Sequence, residues 1–154
     1  MIVWSEKELV LAIHDRQLAE HGGCGGVRDE GLLESALARP HQLHAYDDPA
    51  PDFADLAAAL AYGLARNHPF VDGDKRTAHV AYRTFLELNG IRLDATDEEK
   101  YLTMLALAEG KLGERDFAAW LRAHARAPGR GAAHEPRAAY RVTARATGRR
   151  VRTG

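Results

Sequence analysis

The chain has 154 residues, enough for one domain with its own hydrophobic core. Hydrophobic residues make up 45 % and charged residues 28 %, which excludes a disordered or fibrous chain. Residues 1–125 carry thirteen basic and twenty-one acidic side chains, a net of −8, whereas residues 126–154 carry eight arginines against Glu135, a net of +7. An acidic body repels phosphate backbones, so it is not expected to bind nucleic acid directly. No apolar run reaches the ~18–20 residues that span a bilayer. Residues 1–6 lack the basic-then-apolar order of a secretory leader. Cys24 is the lone cysteine and has no partner for an internal disulfide. Together these predict a cytoplasmic protein with no membrane contact.

The apolar pattern predicts an all-α domain of about six helices over residues 1–126. Ser5-Glu6-Lys7-Glu8 reads as a capping box, opening a helix with Leu9, Ala12, Ile13 and Leu18 near helical spacing. Gly22-Gly23 should stop it. Asp29 can cap a second helix carrying Leu32, Leu33, Ala36 and Leu37, ended by Pro40. Residues 41–51 read as a loop with room for a short hairpin flap. Asp52 can cap a third helix through Leu56, Leu60, Leu64 and Ala65. A fourth starts near Gly73–Lys75 and stops at Asn89-Gly90. Thr96-Asp97-Glu98-Glu99 is another capping box, and a last helix begins near Glu114. From residue 127 onward the Ala, Arg and Gly-rich composition predicts a flexible basic tail.

The chemistry concentrates in residues 68–76. A histidine, two acids, a glycine and two cations lie there, at the expected start of the fourth helix. A helix N-terminus offers free N–H groups and partial positive charge to phosphate oxygens. Gly73 lets a phosphate approach the backbone, Arg76 can bind it bidentately, and Lys75 adds a point charge. Asp72 is a hard oxygen donor suited to Mg²⁺. His68 can accept a proton from an attacking hydroxyl. Each residue also has a plainer reading. Asp72 could cap a helix, His68 could be a surface histidine, and Lys75 and Arg76 could be a solvated turn. Two cations in a first helical turn nevertheless oppose the helix dipole unless an anion compensates them. His14-Asp15 reads as a surface pair, the Gly-rich 21–26 segment as a turn, and His79 as a packed or solvated side chain.

His68-Pro69-Phe70-Val71-Asp72-Gly73-Asp74-Lys75-Arg76-Thr77 resembles the signature of the Fic/Doc family, and its Lys-Arg-Thr ending is similar to the Doc (death-on-curing) branch. His14 and the segments 21–23, 26–29 and 31–40 also look like Doc-type proteins, so the likeness covers roughly residues 3–125. The resemblance implies a helical fold that uses ATP and Mg²⁺ at this loop. His68 would be the catalytic base, Asp72 the metal ligand, and Gly73, Asp74, Lys75 and Arg76 the nucleotide and phosphate ligands. Phe70 would anchor the loop. His41, His44 and Tyr46 fall where the family places a flap that aligns the target chain.

Doc-type members resemble toxins that phosphorylate elongation factor Tu, block translation, and are neutralised by a separate antitoxin. The expected function is therefore the toxin of a type II toxin–antitoxin pair, a kinase-type transferase acting on a hydroxyl side chain. AMP transfer of the Fic type is the alternative, and a catalytically weak binding module held by an antitoxin is a third reading. Asp74 replaces the family's usual Asn, and a carboxylate there would repel phosphate unless something offsets its charge. No Ser/Thr-x-x-x-Glu-Gly/Asn inhibitory segment is present, since Leu105 precedes Glu109-Gly110 at that spacing.

Overall fold

A computed structural model of the protein describes residues 1–127. In chain order the elements are α1 (Lys7–His21), α2 (Glu30–Tyr46), α3 (Phe53–Asn67), α4 (Asp74–Leu88), β1 (Arg92–Leu93), α5 (Asp97–Ala108), α6 (Glu114–His124) and β2 (Ala125–Arg126). The expected all-α domain is observed, with one antiparallel two-residue ladder pairing Arg92 with Arg126 and Leu93 with Ala125. The predicted basic tail, apart from residue 127, lies outside the described residues. No described helix is long and apolar enough to cross a membrane.

Helix α3 is the axis. Its sequence is Ala- and Leu-rich around the whole circumference, with eleven of fifteen residues buried, so every side of it must be covered. Helices α2, α4, α5 and α6 cover it, and α1 packs against α4. Small residues set the approach of α2. A Cβ on Gly63 would stand 2.9 Å from Ala36 Cα, so the helices touch backbone to backbone there. The N-terminus of α3 is closed by a capping box between Asp52 and Asp55. Arg122 of α6 binds both carboxylates, with Nε 2.7 Å from Asp52 Oδ2 and Nη2 3.0 Å from Asp55 Oδ1. Arg39 of α2 pairs with Glu114 of α6 and lies over the Tyr62 ring.

Four local expectations are corrected. Pro40 does not end the second helix, which runs on to Tyr46. Pro40 is itself buried on the face that carries Leu33 and Ala36. That packing outweighs the roughly 3 kcal/mol cost of an internal proline. Residues 41–51 therefore form no hairpin flap. His41 lies on α2 and stacks under Trp4 at 4.0 Å. Ser5 does not cap α1. Glu6 is the N-cap and makes no side-chain cap bond, while Lys7 is drawn across to Glu30 and Glu34 of α2. The buried face of α1 is Val10, Ile13, His14 and Gln17, not Leu9, Ala12 and Leu18. The i, i+3, i+4, i+7 spacing holds, but two polar residues, His14 and Gln17, occupy it, and His14 faces the loop after α3. The predicted caps at Asp29 and Thr96, and the stops at Gly22 and Asn89-Gly90, are observed.

Two predictions follow from this packing. Gly63→Ala should lower the unfolding free energy by up to about 2 kcal/mol net in urea melts. Overpacking costs roughly 1–3 kcal/mol, against about 1 kcal/mol gained in helix propensity. The second concerns His79 of α4, which sits edge-on to Tyr82 and Tyr101 and accepts from Arg83 at 3.0 Å. Burial, with Arg83 and Lys100 nearby, lowers its pKa to about 4. Below pH ~6.5 the unfolded chain binds a proton there that the folded chain refuses. The His79 contribution is thus complete above that pH and is lost as pH falls towards about 4. His79→Phe should show a smaller loss of urea midpoint between those pH values than the wild type.

Candidate active site

The site begins where α3 ends. His68 is the C-cap, with φ 53° and ψ 56°. That left-handed conformation is uncommon for a residue other than glycine, and Pro69 helps to exclude the right-handed one. Arg28 holds it from outside. Its Nε donates to His68 O at 2.8 Å and its Nη2 to Asn67 O at 3.1 Å. A guanidinium on the last carbonyls supplies both the missing donors and a favourable charge at the negative end of the helix.

The loop then runs beside residues 24–29 as a short ribbon. Val27 bridges Phe70, Val71 N donates to Gly26 O at 3.1 Å, and Arg28 N and Asp29 N donate to Pro69 O at 2.7 and 3.1 Å. Phe70 is the loop anchor expected from the sequence. It is buried to 1 % exposure and stacks on the His14 ring, centroids 3.8 Å apart. His14 is only 2 % exposed, and its Nε2 donates to Asp72 O at 2.7 Å. The surface role expected for it is therefore corrected: it faces the loop because it shares a helix face with Val10, Ile13 and Gln17. The Gly-rich turn is a turn, as predicted, and it also has a grip on the loop. Cys24 N donates to Asp72 Oδ2 at 2.8 Å. Gly23 has φ 123°, and a Cβ on it would stand 3.2 Å from Asp72 Cβ, so only glycine fits without displacement.

These contacts bring the candidate residues round one cleft of about 280 Å³, lined by His68, Val71, Asp72, Gly73, Asp74, Lys75, Arg76 and Tyr101. Gly73, with φ 84°, is the N-cap of α4, so the free N–H groups of the first turn open here. Lys75 and Arg76 are exposed and have no ion-pair or hydrogen-bond partner among the described residues. Asp74 is turned back over the loop. Its Oδ1 accepts from Phe70 N at 2.9 Å, and its Oδ2 lies 3.5 Å from His68 Nδ1. Burial pushes its carboxyl above the usual carboxylate range, while the Phe70 N–H and the His68 ring pull the other way. The volume is at the lower limit of small-molecule pockets, roughly 300 Å³. It suits a phosphate chain better than a whole nucleotide.

No cluster of three or more His, Cys, Asp or Glu fit to hold a metal occurs among the described residues. Asp72 offers one carboxylate at the cleft, one oxygen of which is already bound by Cys24 N. Such a donor set fits Mg²⁺ of the kind that completes its shell with phosphate oxygens and water. A larger cleft of about 490 Å³ lies at the opposite end of α3. It is lined by Asp47, Asp55 and Glu114 as well as Arg115 and Arg122, and so mixes acids with its cations, unlike the open cationic turn at residues 75–76.

The sequence reading gave three residues of this site no role in it. Arg28 acts across forty positions with no local signal. His14 was legible only as a member of a helix face. Tyr101, on α5, meets the cleft only through the packing of α5 against α4.

The sequence model of the Fic/DOC family matches residues 4–86, which include α1 to α3, all but the last two residues of α4, the clamping ribbon and the whole loop. A protein named Toxin Doc from Mycolicibacterium smegmatis is 53 % identical over 74 residues, 48 % of this chain and 57 % of that protein. A protein named Protein kinase doc from Escherichia phage P1 is 32 % identical over 115 residues, 75 % of this chain and 90 % of that protein. The chain thus spans little more than half of the mycobacterial relative in that alignment. With the loop, its anchor and the family match in agreement, the chain belongs to the Fic/DOC family.

Proposed function

We propose that this protein is the toxin of a toxin–antitoxin pair, a transferase that moves a phosphate from ATP to a hydroxyl side chain of a target protein such as elongation factor Tu. The observation that carries this reading is the cleft at the start of α4. There a histidine stands beside two unpaired cations and a free helix N-terminus. Cations in a first turn are unfavourable alone and become favourable once a polyanion docks. The names of the two relatives support toxin and kinase roles respectively.

In this reading His68 takes the proton of the acceptor hydroxyl as its oxygen bonds to the γ-phosphorus. The bond from that phosphorus to the bridging oxygen breaks, and its electron pair leaves on ADP. Lys75, Arg76 and the first-turn N–H groups, Gly73 among the loop's backbone, hold the oxygens where negative charge gathers. Asp72 would hold Mg²⁺, which would supply charge neutralisation on the phosphates when bound. Arg28 and His14 do not reach the reacting atoms and instead hold the backbone that presents them.

The charge of Asp74 does not oppose this reading. One of its oxygens faces a backbone N–H and the other an imidazole, at a helix N-terminus where a negative charge is favoured. The side chain is 12 % exposed, so its charge is met inside the loop before it reaches a phosphate. A cytoplasmic setting and neutralisation by a separate antitoxin protein belong to the same proposal.

ATP labelled separately at the α and γ positions tests the reaction. Label should pass to the target protein from the γ position, and passage from the α position alone would make the enzyme an AMP transferase. His68→Ala should lower the rate by about 10²–10⁴-fold and abolish growth arrest on expression in bacteria. Arg76→Ala should mainly raise KM for ATP. If the wild type and His68→Ala are equally harmless and neither transfers label, the protein is a binding module.

A further inference from the structure

We infer that Asp74 is a positioning residue that selects the ring nitrogen of His68 free to accept the proton, placing hydrogen on Nδ1 and leaving the lone pair on Nε2. The inference rests on the proposed base role of His68 and deepens it.

The geometry is a fixed carboxylate facing a mobile ring. Asp74 Oδ1 is tied to Phe70 N at 2.9 Å, and Phe70 is locked in the core by His14 and Val27. The second oxygen cannot turn away without giving up that bond. It stands 3.5 Å from His68 Nδ1, a charge contact that a small ring rotation converts to a hydrogen bond. The His68 side chain is 57 % exposed, so more than half of its surface faces solvent rather than packed atoms. Its backbone is held in place by Arg28 and cannot drift.

The chemistry follows from donor counting. An ionised carboxylate only accepts, so a neutral imidazole facing it must present N–H. Nδ1 then carries the hydrogen and Nε2 is the base, which is the arrangement a carboxylate imposes on a catalytic histidine. An asparagine at position 74 would do the reverse. Its carbonyl oxygen would keep the bond to Phe70 N, and its NH₂ would face Nδ1 as a donor. The exchange of Asn for Asp at this place in the loop is therefore a change in tautomer control.

The test is a long-range ¹⁵N–¹H spectrum of the histidine rings, with His68→Gln used to assign the His68 signals. It is recorded without substrate at roughly pH 9, well above the ordinary histidine pKa near 6.5. A histidine free in water favours the Nε2–H form. The wild type should show His68 mainly as the Nδ1–H tautomer, and Asp74→Asn should invert it to Nε2–H. Asp74→Asn retains the acceptor for Phe70 N, so the fold should survive, and unchanged signals from His14 and His79 would confirm that. His68 found as Nε2–H in the wild type, or the same tautomer in both proteins, would overturn the inference. Because no nucleotide is present, this result stands apart from whether phosphate is transferred.

Discussion

The side chain of Phe70 enters the core, and the loop on either side of it has no choice but to follow. Burial of an aromatic ring is worth several kcal/mol at most. Here it is combined with a stacking contact to His14 and a backbone bridge to Val27. Those contacts bring His68, two residues before the anchor, and Asp72, two residues after it, to one cleft. The site is thus a surface consequence of a core interaction. The cations at the cleft are unpaired and the histidine is mostly exposed, so the geometry is held by the anchor and by the bonds of residues 14, 24 and 28 to the loop.

Helix ends organise the charges around that anchor. At its N-terminus α3 has Asp52 and Asp55, both answered by Arg122. At its C-terminus the carbonyls of Asn67 and His68 are answered by Arg28. Each end carries the charge sign the helix dipole favours. The start of α4 is different. Asp74 meets the dipole, but its carboxylate is occupied within the loop, and Lys75 and Arg76 oppose it in the open. This imbalance is left at the cleft where α4 begins, as expected of a surface kept ready for an anion.

Much of this could be read along the chain because helices are local objects. The Asp29, Asp52 and Thr96 caps and the glycine and Asn-Gly stops depend on residues three or four apart, and they stand where the pattern put them. The loop was legible for the same reason, since its chemistry lies within nine consecutive positions. The errors share a cause too. Pro40 looks like a stop until it is seen buried on the inner face of α2, and His14 looks like a surface residue until the loop is seen to pack on it. In both cases a tertiary contact reverses a local preference of a few kcal/mol or less.

The sequence by itself determined that there are six helices, the caps at Asp29, Asp52 and Thr96 and the set of side chains chemically able to handle phosphate, because spacing of 3.6 residues and turn chemistry act over a few positions. Only the tertiary structure decided which way those side chains face. Arg28, forty positions from His68, reaches it because residues 26–29 pair with the loop, and Asp74 faces the imidazole while its other oxygen accepts from Phe70 N. Long-range packing chooses among local options of nearly equal energy, and a single chain read in order carries no record of that choice.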